Sequence, residues 1–274
     1  MLAKTPDTVT RQIAVVYGAS GSGQAMLTVL QQLLRSDTPF ELHGLFIEDV
    51  DLQRAAALPF TKELCRLTLS VRDIPSTGFD RTIALRLRSA RHAIEELARH
   101  MGISHTFQNT QGSTVGLLQD MAHSADITIF EPLRKLPTPA VHRFMSGRLM
   151  PRRIVVVIDD MVSGDEALLV ASRLVQDHAE RMTVLLRAEN PGELQALEHM
   201  VHEFLPTKAA RLLLMPDRKT QHLITTVLAE RADMLVIGAR EELLKSRSLG
   251  LLLQQLECPI CLVRQIDSNN EPAT

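Results

Sequence analysis

An α/β fold, built from mainly parallel sheets between helices and repeated as two tandem domains, is what this sequence predicts, on three observations. The chain has 274 residues, more than one hydrophobic core usually serves, so two cores are expected. Short apolar runs recur, each followed by a stretch of helical periodicity, and the series runs twice. That alternation is the signature of βα units with parallel strands. Runs such as IVVVI at 154–158 and MLVI at 234–237 are apolar throughout, as strands must be when helices cover both faces of a sheet.

The first series places strands at 13–17, 41–47, 104–109 and 126–130, and the second at 153–158, 182–187, 210–215, 234–237 and 259–263. Helices fit between them at 24–34, 82–100 and 115–123, then at 165–177, 192–204, 221–230 and 249–256. In the long one, Ile83, Leu87, Ala90, Ile94 and Leu97 recur at three- and four-residue steps, with Arg86, Arg91, Glu95 and Glu96 on the other side. That is an amphipathic helix lying on a sheet. Ser113 and Thr114 suit the N-cap of the helix after Gly112, and Asp165 or Glu166 suits the positive end of the second domain's first helix.

Two stretches break the rhythm. Residues 50–79 lengthen the crossover after the second strand, and residues 133–151 carry Pro137, Pro139, Pro151 and Gly147 where a fifth strand is expected. Proline cannot donate to a strand ladder, so the latter reads as a linker. The first domain then occupies residues 1–140, the linker 133–152, the second domain 151–266 and a polar tail 267–274. The tail and the first ten residues lack periodicity and are expected to fray.

Apolar residues make up 45% and charged residues 23% of the chain, the composition of an ordinary globular protein. The formal charge is -2, with no Trp and one Tyr, which leaves little for stacking bases or tracking phosphates, so no nucleic-acid partner is expected. Basic residues are mostly Arg, read here as overall composition and solvated helix faces. No segment approaches the ~20 apolar residues that cross a bilayer, and the first residues lack the apolar core of a signal peptide. A cytoplasmic location without membrane contact is expected. The three cysteines, Cys65, Cys258 and Cys261, form no even framework, so structural disulfides are not expected.

The second series opens on IVVVIDD and a helix with GDEALLVASRL, and closes on ADMLVIG followed by LGLLLQQLECPICLVR. A strand ending in Gly, one helix and a last strand introduced by Cys-Pro resemble the universal stress protein family, here as two tandem universal-stress-protein-like (HUP-type) domains. The first series, with AVVYGASGSGQAM and ADITIFEP, matches less well. Many members bind ATP through an Asp at the end of the first strand and a G-x2-G-x9-G-[ST] loop after the fourth. Carried over, the resemblance makes Asp159 and Gly238 binding residues; Glu241 stands at the second glycine, Leu251 and Leu252 at the last pair, and Gly250 one residue early. In the first domain Tyr17 stands at the Asp position, and Phe130, Glu131 and Pro132 replace the strand that should end in Gly. The loops are therefore degenerate. The resemblance implies domains that pair through their fifth strands, often within a tandem chain. Because the first domain shows no such strand, the strand at 259–263 is expected to leave an unpaired apolar edge covered in a homodimer, the alternative being a monomer with a loop or the polar tail over it.

Gly18, Gly21 and Gly23 lie where a strand turns into a helix, spaced as G-x4-G and followed by Gln24 and Ala25. The lysine and the Ser or Thr of a working P-loop are both replaced. The segment reads as a flexible turn or as an anion cradle without hydrolysis. Asp159 stands at a strand's C-terminal end, beside the usual ligand crevice of such sheets, and a turn or helix-cap role is the alternative. Cys258-x-x-Cys261 enters a strand rather than a helix and reads as buried thiols. His199 and His202 lie three apart on a helix without a third ligand, so no metal site is expected.

No Ser, His and acid set assembles, and no catalytic residue is assigned. The function expected is that of a universal-stress-type regulatory or ligand-sensing protein without strong ATP hydrolysis, taking a small-molecule ligand. The alternatives are an adenine-nucleotide-binding member using the second domain, with that nucleotide as the cofactor, and a partner-binding module whose ligand site has decayed.

Overall fold

The structure is a computed structural model that describes residues 10–18, 23–35, 38–58, 60–64, 70–73, 76–132, 151–176, 178–205, 210–215 and 217–264. In the first half β1 (Arg11–Gly18), α1 (Gln24–Leu33) and β2 (Phe40–Asp49) lead to α2 (Val50–Ala57) and a small hairpin of β3 (Lys62–Leu64) and β4 (Val71–Asp73). Next come α3 (Ser76–Met101), β5 (Ser104–Gly112), α4 (Thr114–Ser124) and β6 (Ile127–Phe130). The second half holds β7 (Ile154–Ile158), α5 (Met161–Val175), β8 (Met182–Arg187), α6 (Pro191–Phe204) and β9 (Arg211–Met215). It ends with α7 (Thr220–Ala229), β10 (Met234–Gly238), α8 (Glu241–Leu244), α9 (Ser246–Gln255) and β11 (Ile260–Val263).

Apart from the hairpin, the strands form one sheet of nine in the order β5-β2-β1-β6-β11-β10-β7-β8-β9. It is parallel at every pairing except β6 with β11. Helices cover both faces. Apolar residues of α1, α3, α5 and α6 pack on one side and those of α4, α7, α8 and α9 on the other, and each core draws residues from both halves of the chain. The all-apolar runs are explained by this sandwich: β6, β7, β10 and β11 are buried along their whole length.

The two halves repeat one another. Read outward from the seam, the order β6-β1-β2-β5 in the first half matches β10-β7-β8-β9 in the second. Each half is tied at the base of this repeat by an Ala-Asp pair. Asp126 N–H donates to Gln12 O at 3.0 Å and its carboxylate accepts from Gln12 N at 2.8 Å. Asp233 N–H donates to Arg153 O at 2.8 Å and its carboxylate accepts from Arg153 N at 3.1 Å. Such bonds satisfy backbone groups where the strands begin.

Three expectations are corrected. The strand at 259–263 is not an open edge: β11 pairs with β10 on one side and β6 on the other. The sheet ends instead at β5 and β9, so an edge-mediated homodimer has to use one of those. Asp165 and Glu166 do not open α5. The helix starts four residues earlier, and Asp160 caps it by accepting from Val162 N and Ser163 N. The stretch 50–79 is not merely a longer crossover, since it contains α2, the hairpin and the first turn of α3. Most of the expected linker, 133–150, and the tail from 265 onward lie outside the described residues.

Candidate functional site

Parallel sheets present a ligand crevice where the strand order reverses, at the carboxyl ends of the strands. In the second half this reversal falls between β7 and β10, because the chain moves outward from β7 through β8 to β9 and then returns to β10. Asp159 follows β7 at that point. Its side chain is only 12% exposed, and Oδ2 accepts from Nη1 of Arg187, the last residue of β8, at 3.3 Å; the Arg187 side chain is 3% exposed. Two more arginines close on the same residue. Arg218, after β9, donates to Asp159 O at 2.8 Å and also pairs with Glu193, while Arg240, after β10, donates to Asp159 O at 3.5 Å.

Burial pushes the Asp159 carboxyl above the usual carboxylate range, opposed by the positive charges of Arg187, Arg240 and Arg218. Burial likewise lowers Arg187 from its ordinary value. Asp160 is otherwise engaged: Oδ1 accepts from Val162 N and Ser163 N, and Oδ2 from the Ser163 hydroxyl at 2.6 Å. Its carboxylate also lies 3.5 Å from Arg240 Nε. Gly238 ends β10 against this first turn of α5, where a Cβ would meet Ser163 Cβ and Oγ at 2.6 Å. Its glycine character is thus demanded by helix packing.

The remaining expected binding residues lie apart from Asp159. Gly250 is inside α9, with its nearest neighbour, the Val115 side chain of α4, at 3.9 Å from a Cβ position. Gly18 ends β1, and Gly23 caps α1 in a left-handed conformation, φ 69°, with the Tyr17 ring against it. Gly21 lies outside the described residues. Because β6 and β11 run antiparallel, the carboxyl ends of the two halves face opposite ends of the sheet. Gly18 and Gly23 therefore cannot share a site with Asp159.

The repeat also corrects the residue matched to the aspartate. The backbone bonds at Asp126 and Asp233 equate Gln12 with Arg153, so Tyr17 corresponds to Ile158 and Gly18 to Asp159. Tyr17 and Ile158 accordingly belong to the same core, and burial raises the Tyr17 phenol above its ordinary value, with Glu131 adding to the effect. Across from Gly18 stands Ile47, at the place Arg187 takes beside Asp159, and Glu131 matches Gly238.

Cys258 and Cys261 are buried and free, and burial pushes the Cys258 thiol up to about 12. Cys65 lies outside the described residues. His199 and His202 lie on an open face of α6; His199 contacts Glu203, and His202 shares a hydrogen bond with Glu198 O. No group of three metal-ligating side chains occurs among the described residues, and none of their helices is long and apolar enough to cross a membrane.

Arg187, Arg218 and Arg240 were missed in the sequence. They fall at or just after the ends of β8, β9 and β10, and an arginine at the carboxyl end of each of three successive strands is the signal that could have found them.

No protein-family description matches the chain, and no curated protein matches its sequence. Among solved structures it is similar to a universal stress protein from Archaeoglobus fulgidus, with 10% identity, 92% of this chain and 98% of the other covered, and a TM-score of 0.48. A protein of unknown function from Pseudomonas aeruginosa shares 12% identity over 94% of each chain, with a TM-score of 0.44. The cytoplasmic domain of a prokaryotic cation chloride cotransporter shares 9% identity over 96% of this chain and 97% of the other, with a TM-score of 0.43.

Proposed function

We propose that this chain is a regulatory, ligand-sensing protein of the universal-stress type that does not hydrolyse ATP, with its ligand crevice at the carboxyl ends of β7 and β10. The observation that carries this reading is the buried Asp159, set where the strand order reverses and surrounded by three arginines. Sensing rather than turnover is supported by the state of the neighbouring groups. The Ser163 hydroxyl is buried and donates to the carboxylate that caps α5, and the Asp159 carboxylate is held by Arg187. Neither is poised as a nucleophile or base.

A second reading, an adenine-nucleotide-binding member using the same half, is favoured by the position of Asp159. Against it, Glu241 and Glu242 open α8 directly after Arg240 and are exposed, which opposes a chain of phosphates. Mass spectrometry of small molecules released from the purified protein tests the first reading, together with equilibrium dialysis against adenosine and ATP. A co-purifying ligand that Arg240→Ala removes supports it. ATP turnover that survives repeated purification and is abolished by Asp159→Ala would overturn it.

A further inference from the structure

The chemistry of the crevice narrows its ligand. A guanidinium carries five N–H donors, yet Arg187, Arg218 and Arg240 together make four hydrogen bonds to described residues. Nε of Arg187 and Nε of Arg218 are buried without a partner among those residues, and so is Oδ1 of Asp159. Buried donors are rarely left unmade in a native protein, and Arg187 is 2% exposed, so bulk water does not serve it. The cluster is rich in donors that its own carboxylates do not use. Asp160 is taken up mainly by the amides and hydroxyl of the first turn of α5, and its Oδ2 also lies 3.5 Å from Arg240 Nε. Glu193 is shared between Arg218 and the backbone N–H of Glu189. Glu242 is largely exposed and stands 3.7 Å from Arg240 Nε.

We propose that this crevice is a site for a single small oxyanion, a phosphate or carboxylate group seated beside the Asp159–Arg187 pair and held by Arg218 and Arg240. The inference rests on the crevice being a ligand site. Planar guanidinium forks match the oxygens of both anions, with charge-assisted bonds stronger than neutral ones. One anionic group fits the spare donors, whereas the exposed Glu241 and Glu242 directly after Arg240 disfavour further phosphates. Met161 and Val162, 45% and 52% exposed at the start of α5, follow Asp160 directly in the chain and leave apolar surface there.

The test is equilibrium dialysis of the full chain against inorganic phosphate, acetate and adenosine at constant ionic strength. Phosphate or acetate is expected to bind, and the one preferred identifies the anion class. Arg240→Ala should weaken that binding about tenfold, as expected for loss of a charge-assisted contact, and Arg240→Lys should fall between the two. Asp159→Asn removes a carboxylate facing the anion and should tighten binding; recognition of a nucleoside through Asp159 requires the opposite. Circular dichroism shows whether each variant is folded, and Arg218→Ala provides a second probe if Arg240→Ala is not. Adenosine binding without phosphate or acetate binding would overturn the oxyanion site and leave a ligand crevice standing. No binding of any of the three would remove both, and anion binding unchanged in both arginine variants would overturn the site.

Discussion

The two halves of the chain share a strand order and a backbone lock, yet end their strands in opposite chemistry. At the carboxyl end of β7 an aspartate faces an arginine, with glycine on the neighbouring strand: Asp159, Arg187 and Gly238. The matching places in the first half hold Gly18, Ile47 and Glu131, and Ile47 is fully buried. The turn that follows also differs. Asp160 caps α5 immediately, whereas Gly18 is separated from Gly23, the cap of α1, by four further residues. Positions on a strand interior answer to the core, which the halves share, so they vary little in character. Positions at or just beyond the carboxyl ends of the strands answer to their local neighbours rather than to the shared core, as Gly238 answers to Ser163, and can carry different chemistry.

The largest expected effect tests the seam that makes the halves one sheet. Leu262 is 1% exposed on a strand paired on both sides. Leu262→Asp should therefore cost more than about 4 kcal/mol, through an unpaired charge in a core. A urea melt should show the loss. Dissociation of a dimer into folded monomers would instead restore β11 as an edge.

Next in size is a transplant between the halves. Arg187→Ile places the first half's residue beside Asp159 and leaves a buried carboxylate unpaired, at about 3–5 kcal/mol. Adding Asp159→Gly completes the copy of Gly18 and Ile47 and should recover most of that loss, because no buried charge remains. Additive losses in the two denaturation curves would show that the halves are not equivalent at this point.

Smaller still is the contrast between two strand-end glycines. Gly238→Ala drives a methyl into Ser163 at 2.6 Å and should cost about 1–3 kcal/mol, as overpacking does. Gly18→Ala meets nothing within 4 Å and should change stability by less than about 0.5 kcal/mol. Equal thermal shifts in the two variants would argue against the packing account of Gly238.

The least effect concerns pH. The folded state raises the proton affinity of Asp159, so this group's contribution to stability is fully present below the ordinary carboxylate pKa and declines as pH rises through it toward the higher folded value. Asp159→Asn, which keeps the neutral shape and cannot ionise, should remove that part of the slope. Urea midpoints measured between about pH 3 and 7 check it, and an unchanged slope would contradict the burial of the carboxylate.

Much of the architecture was legible because burial on two faces writes itself into the strand. The runs at 154–158 and 234–237 have no polar position, and the Ala-Asp pairs of ADITIFEP and ADMLVIG recur at the foot of β6 and β10. The small hairpin was not legible: β3 and β4 are three residues each, too short for a period to show. In the cluster proposed as the site, the position of Asp159 after a strand was legible. Its arginines were not, since Arg187, Arg218 and Arg240 meet only when three separate strands are laid side by side.

By itself the sequence determined the α/β class, the βα order and the doubling of the series, because local periodicity reports which faces of each element are covered. Only the tertiary structure decided how the doubled series joins. Strand pairing depends on which backbone edges remain free, and β11 pairs antiparallel with β6. That one pairing makes a single sheet and sends the Gly18 end of β1 and the arginine cluster at Asp159 to opposite ends of it.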